Sequence, residues 1–212
     1  MSGKQTVGVL FSGGKDSSLA ALLLAHHYTV ELNTFVFNPD APVTAVKQAA
    51  STLGFVHHIR ALGQDTLESL TQQIVLDGYP KHAINAVHLA AINLLSKEYQ
   101  VIGDGTRYGD RVPMLTPADV SRLYDTCGCI YVRPLLGYTK PAIEHLCDKY
   151  LQVAYGETGT IENGDYEHEI RRRLSDLGID FTLLFPQKHM QSLVIGVVKP
   201  LCDAHAIPND PV

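Results

Sequence analysis

Short β-rich runs alternate with helical patterns along the first three quarters of the chain. That alternation restricts the fold more than any other feature, because parallel strands need long crossovers and these are usually helices. The spacing predicts strand one over Thr6 to Phe11, a helix from Lys15 to His27 with Leu19, Leu22, Leu23 and His26 on one face, and strand two over Thr29 to Phe37. Asn38, Pro39, Asp40 and Pro42 break the chain before a helix carrying Val43, Val46, Ala50 and Leu53, which Gly54 closes. Strand three is expected over Phe55 to Ala61, helices over Thr66 to Leu76 and Pro80 to Lys97, strand four over Tyr99 to Ile102 and strand five over Ile130 to Leu135. Thr139 can cap a further helix, with Pro141 in its first turn and Ile143, Leu146 and Tyr150 facing inward. The expectation is an α/β fold, a doubly wound five-stranded parallel sheet over residues 1–155. From Gly156 the composition shifts, with Glu157, Glu162, Asp165, Glu167 and Glu169 ahead of Arg171, Arg172 and Arg173. Residues 156–212 are therefore expected as a small C-terminal α+β extension, a helix plus two short strands around Pro186.

Composition narrows the function. Of 212 residues, 45% are apolar and 18% charged, enough to bury a core and unlike a disordered chain. Apolar stretches such as Leu19 to Ala25 and Leu193 to Val198 are too short to cross a bilayer, and no signal-peptide pattern is present, so a cytoplasmic location is expected. A net charge of -5 disfavours a protein whose main work is to coat DNA or RNA, while leaving room for a local basic patch. Cys127, Cys129, Cys147 and Cys202 are expected as reduced thiols.

The segment with most chemical content is Ser12-Gly13-Gly14-Lys15-Asp16-Ser17-Ser18, set between the first strand and the first helix. Two glycines let backbone approach an anion closely, and the free amides of a helix start point at it with the positive end of the dipole. Ser12, Ser17 and Ser18 add hydroxyls and Lys15 adds charge. Asp16 would repel a polyphosphate unless Mg²⁺ intervenes or its carboxylate braces the turn by binding amides. A Walker-type P-loop would need Gly at position 9 and Ser or Thr at position 16, where Val9 and Asp16 stand, and no G-x-G-x-x-G follows strand one. A second glycine-rich run, Gly103-Asp104-Gly105-Thr106-Arg107, follows strand four and should reach the same carboxyl edge of the sheet.

Ser-Gly-Gly-x-Asp-Ser after a first strand resembles the signature of the PP-loop ATP pyrophosphatases, the adenine nucleotide α hydrolase-like superfamily. The resemblance implies a Rossmann-like sheet of order 3-2-1-4-5, with ATP and Mg²⁺ as cofactors and cleavage of ATP to AMP and pyrophosphate. The product would be an adenylated acceptor, a small molecule or tRNA, prepared for sulfur or nitrogen transfer by a ligase or sulfurtransferase. Asp16, Lys15, Asp104 and Arg107 become the catalytic candidates, with Asp16 the Mg²⁺ ligand. Nucleotide contacts would come from Ser12 to Ser18, from Gly103, Gly105 and Thr106, from Phe11 and Phe37 beside the adenine, and from Lys140 on the leaving pyrophosphate. Lys140 follows Arg133-Pro134-Leu135 in a stretch that also resembles these enzymes. The family pattern further implies a homodimer through the later helices or the extension. No glutaminase segment is recognisable, so ammonia would come from solution or a partner.

Two rival readings share these residues. Phosphoadenylylsulfate reductases carry Ser-Gly-Gly-Lys-Asp-Ser, but their C-terminal reductive cysteine motif is missing and Cys202 stands alone. A non-catalytic ATP- or AMP-binding regulatory protein is the other. Cys127-Gly128-Cys129 suggests a persulfide pair, an iron-sulfur site shared with Cys147 or Cys202, or simply buried thiols; one intervening residue is short of the usual zinc gap. The pairs His26-His27 and His57-His58 lack metal-ligand spacing, strand three should direct His57 and His58 to opposite faces, and His168 is uninformative.

Overall fold

A computed structural model describes residues 3–110, 113–157, 160–186 and 190–199. At its centre lies β1 (Thr6–Leu10), flanked by β2 (Thr29–Val36) and β4 (Val101–Gly103), with β3 (Val56–Ala61) and β5 (Ile130–Val132) at the edges. The order is β3-β2-β1-β4-β5 and every pair is parallel, the doubly wound arrangement expected from the alternation of strands and helices.

Alternation along β1 sorts its side chains between two helical layers. Val7 and Val9 pack with Leu19 of α1 (Lys15–Leu24), Val46 of α2 (Thr44–Leu53) and Ile143 of α6 (Lys140–Tyr150). Leu10 turns to the opposite layer, against Ile92 and Leu95 of α4 (Lys81–Leu95) and Leu123 of α5 (Pro117–Cys127). Gly8 shares that face because the Tyr99 ring covers it: a Cβ there would stand 2.6 Å from the ring. A third cluster joins α3 (Gln64–Asp77) and α7 (Tyr166–Asp176) around Phe37, Ile74, Ile84, Ile170 and Phe185. Gly54 ends α2 at φ 76°, the left-handed C-terminal position that glycine takes without strain.

The extension differs in detail from its sequence expectation. The strand after α6 is β6 (Leu151–Glu157), and it pairs antiparallel with β7 (Met190–Val197). Of the two strands expected around Pro186, the earlier run is instead a short 3₁₀ turn at Phe181–Leu183. Phe185, two residues beyond it, is buried beside Phe37, so that apolar run fills a core rather than pairing. Val194 of β7 is buried in the cluster of α1 and α2, which ties the hairpin to the main sheet. Helix α5 was not expected; Leu123 is its one buried residue, although Val120, Leu123, Tyr124 and Cys127 fall at helical spacing. Its signal is a capping box: Thr116 Oγ1 accepts from the Asp119 amide, the Asp119 carboxylate accepts from the Thr116 amide, and Pro117 opens the first turn. No helix among the described residues is long and apolar enough to cross a membrane.

Candidate functional site

The chain leaves β1 for β2 on one side and reaches β4 on the other, so the crevice above the carboxyl ends of β1 and β4 is the switch point where α/β sheets take ligands. A cleft of ≈ 550 Å³ opens there, and Ser12, Asp16, Ser17, Thr106, Arg107 and His88 are among its lining residues. Both glycine-rich segments meet on it, as their positions after strands one and four predicted.

The first turn is held by its own hydroxyls. Ser17 Oγ donates to the Gly14 carbonyl at 3.1 Å, Ser12 Oγ accepts from the Gly14 amide at 3.3 Å, and the two hydroxyls lie 3.3 Å apart. Gly13 has φ 80°, and a Cβ added to it would press on Leu193 at 3.1 Å, so both conformation and space call for glycine. The start of α1 is partly satisfied from within: Ser192 Oγ on β7 accepts from the Lys15 amide at 3.1 Å. Gly13 is tied to the same strand, because its carbonyl accepts from the Val194 amide at 2.9 Å. Gly164, between β6 and α7, donates its amide to the Ser12 carbonyl at 2.8 Å. Two separate parts of the chain, β7 and the segment at Gly164, thus converge on this turn.

Charges alternate across its mouth. Lys15 Nζ lies 2.7 Å from Asp16 Oδ1, Arg107 Nε lies 3.6 Å from Asp16 Oδ2, and Arg107 Nε donates to Asp110 Oδ1 at 2.8 Å. Burial alone would lower the Arg107 pKa, but the Asp16 and Asp110 carboxylates outweigh it and hold the guanidinium above its ordinary value. Arg107 Nη1 is enclosed and has no hydrogen-bond partner among the described residues, so an acceptor would reach it only after the side chain or its surroundings shift. Ser18 Oγ, within α1, is likewise enclosed and unpartnered.

Asp104 lies deeper and is almost fully enclosed. Its Oδ1 accepts from the Thr106 amide at 2.9 Å; its Oδ2 accepts from Thr106 Oγ1 and His88 Nε2, both at 2.8 Å, and from the Tyr131 hydroxyl. Burial pushes its pKa up, yet the bonds and charge from His88, with those from Tyr131 and Thr106, win and hold it below the ordinary carboxylate range. The Tyr131 phenol is raised well above its usual value, by burial and then by the Asp104 charge. With its lone pairs so occupied, Asp104 shapes the loop that carries Arg107. Neither His88 nor Tyr131 was picked out from sequence. His88 sits in the apolar stripe Ile84, His88, Ile92 of α4, and an imidazole in such a stripe behind a post-strand aspartate was the available signal.

Other expected residues lie elsewhere. Phe37 has no exposed surface and belongs to the third core cluster rather than to the cleft wall. Phe11 lines the cleft while its ring packs edge-on against His57, centroids 5.6 Å apart. Gly103 closes β4 under Leu24. Lys140, at the start of α6, is exposed and lies 3.7 Å from Glu144. His57 meets Thr34 Oγ1 and His58 meets Glu31, separate partners for adjacent ring nitrogens on β3. Among the described residues no three His, Cys, Asp or Glu side chains converge to hold a metal. Asp16 is the carboxylate on the turn itself; a Mg²⁺ ion held there would take most of its shell from phosphate oxygens and water, which suits that ion's usual mode. Cys129 and Cys147 are buried and their thiols are pushed up to about 11 and about 12, chiefly by burial, so they read as packing groups. Cys202 lies outside the described residues.

Known proteins match this architecture over nearly its whole length. The chain belongs to a family of unknown function, DUF7411, which it matches over residues 5–196. It is 35% identical over 196 residues to the uncharacterized protein MJ0690 of Methanocaldococcus jannaschii, covering 92% of this chain and 98% of that one. A crystal structure from the same organism, described as a predicted subunit of tRNA methyltransferase, superposes with a TM-score of 0.84 at 34% identity, over 92% of this chain and 99% of that one. NH3-dependent NAD synthetase from Campylobacter jejuni aligns at a TM-score of 0.46 and 16% identity, over 69% of this chain and 64% of its own, too distant to bear on activity.

Proposed function

We propose that this member of the family binds ATP in the switch-point cleft and splits it between the α and β phosphates, placing the adenylyl group on an oxygen of an acceptor. One observation carries the reading: the Ser12–Ser18 turn and the Asp104–Arg107 loop line one cleft together, with the Ser12 and Ser17 side of the turn and Arg107 both on its wall. The departing pyrophosphate would lie against Ser12 and Ser17, exchanging their mutual hydrogen bonds for bonds to phosphate oxygens. Arg107 would meet the charge developing at the reacting phosphoryl group. Lys15 would leave Asp16 for phosphate, and Asp16 would then be free to hold Mg²⁺, which when bound neutralises phosphate charge. Asp104, through Thr106, keeps the second loop in register. Positioning and charge stabilisation supply the rate, as expected when the protein forms no bond to phosphorus itself. Adenine would enter the neighbouring hollow of ≈ 310 Å³, which shares Phe35, Gly164 and Asp165 with the cleft.

The M. jannaschii structure described as a predicted tRNA methyltransferase subunit supports a tRNA acceptor over a small molecule. The adenylated acceptor would then pass to a nitrogen or sulfur nucleophile. A protein that holds ATP or AMP without turnover is the competing reading, favoured by Ser192 Oγ on the Lys15 amide and by Lys15 held on Asp16.

Product analysis separates the two. Protein incubated with ATP, Mg²⁺ and total tRNA, or a small-molecule extract, should release AMP and pyrophosphate. ADP and phosphate, or intact ATP with every acceptor pool, would overturn the adenylation reading.

A further inference from the structure

The polar turn accounts for one end of the cleft. At the other, Phe35, Tyr79, Ile84, Tyr166 and Phe185 form an apolar and aromatic wall, and one imidazole, His88, stands in it. Its Nε2 lies 2.8 Å from Asp104 Oδ2 and 3.4 Å from the Tyr131 hydroxyl. An ionised Asp104 can only accept, so Nε2 is the protonated nitrogen. The other ring nitrogen, Nδ1, makes no hydrogen bond among the described residues, yet it is absent from the enclosed unpartnered atoms. Whenever the ring is neutral, Nδ1 therefore carries the lone pair, on a residue that borders the cleft with only 3% of its surface exposed. A histidine acting as a strut can commit both nitrogens to the protein. This one commits a single nitrogen, to a buried carboxylate that can stabilise the imidazolium, the arrangement in which histidine works as a general base.

We infer that His88 is the general base of the second half-reaction, its Nδ1 taking the proton of the nucleophile that displaces AMP from the adenylated acceptor. This rests on the adenylation reading. The N–H or S–H proton of an ammonia- or sulfide-type nucleophile passes to Nδ1 as its lone pair bonds to the acceptor carbon. The carbon–oxygen bond to AMP breaks, AMP leaves with the electron pair, and His88 returns its proton to solvent. The aromatic wall fits a flat, uncharged acceptor group such as a heterocyclic base, whose face can pack on Phe35 or Tyr166.

Two measurements on the full chain decide the matter. Diethyl pyrocarbonate attacks unprotonated imidazole nitrogens that solvent can reach, and this arm needs no acceptor. Peptide mapping should find His88 modified, with the exposed His82 as the reference. His88 left unmodified when His82 is fully modified would show that Nδ1 cannot meet a substrate, and the proposal would fall. The second arm uses His88→Gln, whose side-chain amide can still donate to Asp104 but cannot take a proton. The ratio of AMP release, with tRNA and ammonium or sulfide, to ATP–pyrophosphate exchange should drop by at least about 100-fold, with exogenous imidazole restoring part of it in His88→Gly. An unchanged ratio overturns the proposal. If the wild type shows neither exchange nor AMP release, it is the adenylation reading that fails, and the labelling result alone then decides whether His88 presents a reactive nitrogen to the cleft.

Discussion

Gly105 lies against the peptide that joins Asp16 to Ser17: a Cβ built on it would stand 2.6 Å from the Ser17 nitrogen and 2.7 Å from the Asp16 carbonyl carbon. The loop after β4 is thus docked backbone to backbone on the start of α1, and neither side can yield by rotating a side chain. Gly105→Ala should lower stability by about 1–3 kcal/mol, as overpacking does, and weaken ATP binding by shifting Arg107 from Asp16. Urea denaturation and calorimetric titration with ATP check the two effects; an alanine variant as stable as the wild type would show that the loops are not in contact.

Arg107 offers an unpartnered nitrogen where Lys would offer only a point charge. If phosphate oxygens take up Arg107 Nη1, Arg107→Lys should raise the Kd for ATP by roughly 10- to 100-fold, the range of a lost charged hydrogen bond of about 1.5–3 kcal/mol. Titration calorimetry reads this directly. Equal affinity would place the phosphates away from the second loop.

His57 makes stability depend on pH. Burial first, and then the nearby positive charges of His58 and Lys47, lower its pKa from 6.5 to about 4. The folded state therefore favours the neutral ring, and the unfolded chain binds more protons between those values. Its contribution is complete above pH 6.5 and is lost as pH falls toward about 4. Half-exposure makes the effect a modest one. Denaturation midpoints measured across that window should fall less steeply in His57→Gln than in the wild type, and parallel curves would remove His57 from the account.

The thiols should separate by environment. Cys127 is exposed, whereas burial holds Cys129 and Cys147 at about 11 and about 12. Iodoacetamide on the native protein at neutral pH should modify Cys127 well before either of the others, as peptide mapping would reveal. Fast modification of Cys129 would reopen a sulfur-carrying role for the Cys127-Gly128-Cys129 segment.

Legibility in sequence followed the range of the interactions. The five parallel strands could be read because apolar periodicity and Gly or Pro punctuation are local, and the Ser12–Ser18 turn because glycine and hydroxyl spacing is local too. Helix α5 escaped although both the helical spacing of Val120, Leu123, Tyr124 and Cys127 and its capping box were in view; its face buries only Leu123, so its apolar signal is short. β6 escaped because it follows α6 without a turn residue and finds its partner in β7, past an intervening helix. At the site, Asp16 and Arg107 were named one by one, but their approach across the cleft was not foreseeable. His88 and Ser192 were missed for the same reason. An imidazole in an apolar stripe and a serine in a late strand gain meaning only from Asp104 and Lys15, which the fold brings to them.

The Lys15 amide and the hydroxyl that accepts from it are separated by 177 positions. On a growing chain, the central sheet can assemble before β7 is made, but until then the first turn lacks the braces that Ser192 and Val194 supply. Nascent protein halted before Met190 should then hold a formed sheet with an incompletely braced anion site, so competence for ATP would arrive only once β7 is in place rather than with the first βα unit that encodes it.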